Sequence, residues 1–192
     1  MTEVVIDLEA LGTRPGCAIL SIGAVAHIPG TPEDEKEEFY SKLALETCVS
    51  AGLKIEPDTL LWWLQQSPEV LVEAFSGTDH IDWALGSLSA WLSEVASGEG
   101  VLIYGKGPSF DCAILEAAYH ARGMEKPWKF WNERCVRTVL DEAERLIGEE
   151  AAEGLKSIRS EVPHHALWDA RAEMKQLSEC RWRIAHALAT YR

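Results

Sequence analysis

Asp7 and Glu9 stand two residues apart behind the apolar run Val4-Val5-Ile6, and Gly12-Thr13-Arg14-Pro15-Gly16 follows them. Side chains alternate along a strand, so both carboxylates point to one face and Leu8 to the other. Like charges at the end of an apolar strand repel each other and are costly to desolvate. A divalent cation removes that cost, because carboxylate oxygens are what Mg²⁺ and Mn²⁺ prefer. Taken alone, the pair reads better as two solvated charges at a strand end.

Two further stretches carry chemistry-bearing residues. Phe110-Asp111 puts a carboxylate in the first turn of a predicted helix after the short apolar run Val101-Leu102-Ile103-Tyr104. A residue favoured only by the helix dipole would look the same. Pro163-His164-His165-Ala166-Leu167-Trp168-Asp169-Ala170 places two imidazoles at a helix start and a carboxylate within the next two turns. His165 and Asp169, four apart, also suit a local surface pair. Gly105-Lys106-Gly107-Pro108-Ser109 lacks the G-x-x-x-x-G-K-[ST] spacing, which excludes a P-loop nucleotide triphosphatase.

Together these segments resemble the DEDD superfamily of 3′–5′ exonucleases, in the branch with a histidine base. Asp7 and Glu9 match its first motif, Asp111 its second, and His164 with Asp169 its third. Asp7-Leu8-Glu9-Ala10-Leu11-Gly12-Thr13-Arg14-Pro15, Trp62-Trp63-Leu64-Gln65-Gln66-Ser67 and Gly107-Pro108-Ser109-Phe110-Asp111 are similar to the group of exodeoxyribonuclease VIII, phage exonucleases and small exoribonucleases. Two positions depart from the pattern: Ala10 stands where Thr is usual, and Gly107-Pro108-Ser109 where the wider superfamily has an upstream Asn.

The resemblance implies a ribonuclease-H-like α/β fold, a mixed five-stranded sheet with helices on both faces. It also implies hydrolysis of single-stranded DNA or RNA 3′ ends, assisted by two Mg²⁺ or Mn²⁺ ions about 4 Å apart. Asp7 would bridge the ions, Glu9 and Asp169 would complete one, Asp111 would support the other, and His164 would be the general base. Ala10, Leu11, Gly12 and Phe110 would hold the terminal nucleotide, with Leu11 and Phe110 against its base. Arg14, Lys106 and Arg137 are candidate phosphate contacts. Helix spacing alone selects His165 as the partner of Asp169, whereas the family register selects His164. Both fit if His164 precedes the helix, where its backbone need not be helical. The alternatives are a catalytically idle nucleic-acid-binding protein and a ribonuclease-H-type endonuclease, and a homodimer is left open.

The elements that must position these residues are legible in pattern. Cys17–His27 reads as a strand antiparallel to the first, Phe39–Leu45 as a third, and Pro32–Glu38 as a solvated acidic hairpin tip. Helices are predicted from Pro57 with Asp58 as N-cap, and from Pro68 with Ser67 as N-cap. Ile81, Leu85, Leu88, Leu92 and Val95 recur at helical spacing. Further helices are expected at Ser109–Ala121, at Val136–Ile147 and from Pro163 to about Ala187, with Gly148–Val162 as the most polar connection.

At 192 residues the chain is expected to form one domain, residues 1–192. A net charge of −13 argues against a broad basic surface for duplex nucleic acid, without excluding an enzyme that grips a strand end through metal ions. Five scattered cysteines, none in a C-x-x-C pair, predict a reduced intracellular protein, with the cytoplasm as the expected compartment. No secretory signal or membrane span is expected. Eight tryptophans suit stacking on single-stranded bases, although core packing is the expectation for most.

Overall fold

The computed structural model of the chain describes residues 1–27, 36–96 and 98–190. Strand β1, Thr2–Ala10, pairs antiparallel with β2, Ile19–His27, which pairs antiparallel with β3, Lys36–Lys42. On the other edge β1 runs parallel to β4, Val101–Gly105, and β4 runs parallel to β5, Glu133–Cys135. The sheet order is β3-β2-β1-β4-β5. The helices are α1 Leu45–Ser50, α2 Pro57–Trp63, α3 Pro68–Phe75, α4 Ile81–Ala96, α5 Asp111–Ala121, α6 Val136–Ile147, α7 Glu149–Ala152 and α8 Ala166–Thr190. Among the described residues no helix is long and apolar enough to cross a membrane.

Alternation along β1 separates two cores. Val4, Ile6 and Leu8 pack with Leu85 and Leu88 of α4 and Ile114 and Leu115 of α5. Val5 points the other way and packs with Ala170, Met174 and Leu177 of α8 and Leu140 of α6. The same alternation puts Asp7 and Glu9 on the α8 face. Burying Met174 and Leu177 stabilises by roughly 1.5–3 kcal/mol each. That packing presses α8 against a strand end carrying like charges.

Several boundaries differ from the sequence expectation. β2 begins at Ile19 because the β1–β2 register slips between Glu9 and Ala10, leaving Cys17 in an isolated bridge to Lys54. β3 ends at Lys42, since the amide of Ala44 turns to bond Asp79 and α1 follows. Pro57, with its φ fixed for a first helical position, itself opens α2, so the N-cap is Glu56, two residues before the expected Asp58, which lies in the first turn. Ser67 caps α3 as expected, accepting from the amide of Val70. Of the acidic hairpin tip, Pro32–Glu35 lies outside the described residues, and Lys36–Glu38 belong to β3.

Candidate active site

Asp7 sits opposite Gly23 in the β1–β2 ladder, and that glycine sets the approach of the last helix. A Cβ at position 23 would lie 2.3 Å from the backbone of Ala166 and Leu167, so only glycine lets the α8 N-terminus seat on the sheet. Asp169, in the first turn of α8, is thereby brought over β1. Asp7, Glu9 and Asp169 each offer a carboxylate oxygen, and these atoms lie within 4.8 Å of one another. Asp169 Oδ2 also accepts from the backbone amide of His165, which fixes its rotamer at the helix start.

Asp111 enters from the β4 side. A Cβ on Gly105 would stand 2.7 Å from Asp111 Oδ2, so the glycine that ends β4 leaves room for this carboxylate to fold back over the strand end. Asp111 is 3% exposed. Gly107, at φ +127°, likewise makes room for the guanidinium of Arg137 above the loop.

A fifth carboxylate, which the sequence motifs miss, is Glu173, one turn beyond Asp169 and buried on α8. Lys106 Nζ lies 3.7 Å from its Oε1. The signal was present as a carboxylate on the apolar stripe of Ala166, Ala170, Met174 and Leu177.

Burial raises these carboxyl groups, and repulsion from neighbouring carboxylates adds to it at Asp7, Glu9 and Glu173. Asp7 is pushed well above the usual range by burial, then by Glu173, Asp111, Glu9 and Asp169 in that order. Burial lifts Glu9 to about 8, with Asp169 and Asp111 adding to it. Asp111 rises to about 7 through burial, against the backbone amides of Asp111 and Leu8 and the charge of Arg137. Glu173 rises to about 8 through burial, against Lys106. Asp169 is raised too, again chiefly by burial. A set of oxygen donors this short of positive charge fits hard divalent cations.

The two histidines part company. His164 precedes α8 with φ +57°, a conformation in which non-glycine residues are uncommon and histidine is enriched. This non-helical backbone is why the helix begins at Ala166 rather than at Pro163. The His164 ring meets Trp62 and Trp63 edge-on, at centroid distances of 4.9 and 6.0 Å. The His165 ring instead stacks on Tyr40 at 4.6 Å, with Nε2 3.5 Å from Glu73. Burial lowers its pKa.

The model of the Rv2179c-like 3′–5′ exoribonuclease domain matches residues 2–181. The chain belongs to that family. It is 26% identical over 173 residues to an exodeoxyribonuclease of Enterobacteria phage T4, covering 73% of this chain and 71% of the phage protein. Its fold is shared with the nuclease domain of 3′hExo, a DEDDh family member solved bound to rAMP. That match has a TM-score of 0.61 and 12% identity, over 95% of this chain and 92% of the other. Cell-death related nuclease 4 (CRN-4) matches at TM-score 0.59 and 11% identity, over 92% of this chain; the chain spans 62% of that protein.

In this 3′–5′ exonuclease, two of the expected substrate contacts belong to a tightly packed loop. Leu11 is fully buried and its backbone is bonded to Ala18 and Glu56. Gly12 is packed against Cys17 and the Glu56 side chain. Both residues therefore brace the loop, with the Leu11 side chain turned into the core. The Ala10 carbonyl accepts from Trp63 Nε1 at 3.0 Å. Phe110 is half-buried at the start of α5. Trp63 and Trp128 are core residues, whereas Trp62, Trp83, Trp131 and Trp182 are exposed, against the expectation of core packing for most. Of the candidate phosphate contacts, Lys106 pairs with Glu173 and Arg137 faces the Asp111 loop, while Arg14 is exposed beyond β1.

Proposed function

We propose that this exonuclease hydrolyses single-stranded 3′ ends one nucleotide at a time with the help of two Mg²⁺ or Mn²⁺ ions, releasing nucleoside 5′-monophosphates. The observation that carries the reading is the set of Asp7, Glu9 and Asp169 oxygens within 4.8 Å of one another. Asp7 would hold both ions, Glu9 and Asp169 would complete one, and Asp111 would support the other. When bound, the ions activate the attacking water and stabilise the leaving 3′-oxygen. His164 accepts the proton that the water gives up, a role suited to an imidazole near neutral pH. Its place in a turn ahead of α8 leaves the ring free of the helix ladder. Trp62, 42% exposed beside His164, offers a face for the terminal base.

RNA is the first substrate to test, since the matching family is described by exoribonuclease activity. DNA is the alternative, raised by the phage exodeoxyribonuclease. Matched RNA and DNA oligomers labelled at the 5′ end, incubated with Mg²⁺, Mn²⁺ or EDTA, test the proposal. A metal-dependent ladder shortening from the 3′ end is expected. Internal cuts, or products unaffected by EDTA, would overturn it.

A further inference from the structure

We propose that Glu173 supplies a ligand to the second cation, so that the cluster divides into two subsites sharing Asp7. One is Asp7, Glu9 and Asp169; the other is Asp7, Asp111 and Glu173. The inference rests on the metal-assisted reading above and extends it to a residue outside the sequence motifs.

Glu173 is 4% exposed and lies between Ala170 and Leu177 on the stripe that α8 buries against β1. Apolar residues occupy the neighbouring positions, so packing gives no reason for a carboxylate there. Its Oε2 is buried and has no hydrogen-bond partner among the described residues. Lys106 Nζ, at 3.7 Å from Oε1, is beyond hydrogen-bond length. A buried carboxylate in this condition is one that pairs with a charge or holds a metal.

Position says which metal. Glu173 follows Asp169 by one helical turn, so both side chains project from the same face of α8 toward β1. Asp7 feels the charge of Glu173 more strongly than that of any other carboxylate, and Glu173 in turn feels Asp111. Asp111 reaches the strand end over Gly105, from the β4 side. Glu9 and Asp169 already converge on Asp7. Asp111 and Glu173 are the carboxylates left in the cluster for a second cation shared with Asp7.

Charge balance agrees. The five carboxylates, Asp7, Glu9, Asp111, Asp169 and Glu173, face the cations Lys106 and Arg137, which leaves three negative charges uncovered. Two divalent cations and one phosphodiester bring that inventory to neutrality. Without Glu173 the same inventory ends one charge positive.

Mn²⁺ binding to the metal-free protein, followed by calorimetry and by the electron paramagnetic resonance of free Mn²⁺, tests this without reference to turnover. The wild type should bind two ions. Glu173→Gln should keep one at wild-type affinity and bind the other at least tenfold more weakly, the scale on which even outer-sphere partners act. Glu173→Asp, which keeps the charge but withdraws the carboxylate, should also weaken that ion, and it carries the test if the Gln variant does not fold. Two ions at wild-type affinity in either folded variant would overturn the inference, leaving Glu173 as an anchor for Lys106. A wild type that binds a single ion would also overturn it. A wild type that binds none would overturn the metal-assisted reading itself.

Discussion

Trp62 meets the ring of His164 edge-on, with centroids 4.9 Å apart and planes at 87°. The neighbouring Trp63 is turned inward, 1% exposed, with its Nε1 donating to the carbonyl of Ala10. Adjacent positions on a helix diverge by about 100°. That divergence gives the pair two tasks: Trp63 ties α2 to the end of β1, and Trp62 forms a wall beside the histidine.

The two indoles should therefore respond differently to truncation. Trp63→Ala should destabilise the fold by about 3–5 kcal/mol, the usual scale for a buried aromatic. Trp62→Ala should leave the melting temperature nearly unchanged and weaken single-strand binding by about 1–3 kcal/mol. Thermal melts and fluorescence anisotropy with a short oligomer separate these outcomes. Unchanged oligomer affinity in Trp62→Ala would return that indole to ordinary surface.

His164→Ala should lower single-turnover rate by about 10² or more, the usual scale for a lost general base. His165→Ala should be mild in rate, since its ring lies against Tyr40 and Glu73. The reverse pattern would shift the third motif by one residue.

The metal-free protein should lose stability as pH rises. Glu9 and Glu173 hold protons up to about 8 in the folded state, and Asp111 up to about 7, whereas their unfolded forms ionise near 4. The folded state thus binds more protons through that window, and stability falls with increasing pH. In EDTA the melting temperature should decline between about pH 4.5 and pH 8, and Mn²⁺ should restore it at the alkaline end. Asp7→Asn should flatten the decline and abolish activity. A melting temperature that climbs across this window in EDTA would contradict the electrostatics of the cluster.

Gly23→Ala should cost about 1–3 kcal/mol by overpacking and depress turnover more than it depresses the melt, because α8 must lift away from Asp7. Gly86→Ala is the control: it lies within α4 with open space around its missing Cβ. It should stabilise by about 0.5–1 kcal/mol at unchanged activity.

Legibility from sequence tracked how local each signal was. The apolar spacing of Ile81, Leu85, Leu88, Leu92 and Val95 and the bounds of Val136–Ile147 needed only the helical period, and both helices formed there. Asp7 and Glu9 were placed on one face by alternation alone. β5 escaped notice because its three residues are defined by pairing with β4 rather than by any pattern of their own. Leu11 was placed against the terminal base because it neighbours a carboxylate, whereas the Gly12 turn folds its side chain inward onto the core. Glu173 was passed over because a glutamate in a long polar-faced helix looks solvated until the buried stripe is known.

The fit of α8 over Gly23 also fixes when the site comes into being. Asp7 and Glu9 belong to the first strand, whereas His164 and Asp169 arrive with the last helix. During synthesis the early strand therefore waits through most of translation before its partner emerges. Until that helix docks, the carboxylates of β1 lack Asp169, and His164, two residues ahead of α8, has no fixed place beside Trp62 and Trp63. On the proposed reading, the site is assembled only once α8 has seated over Gly23.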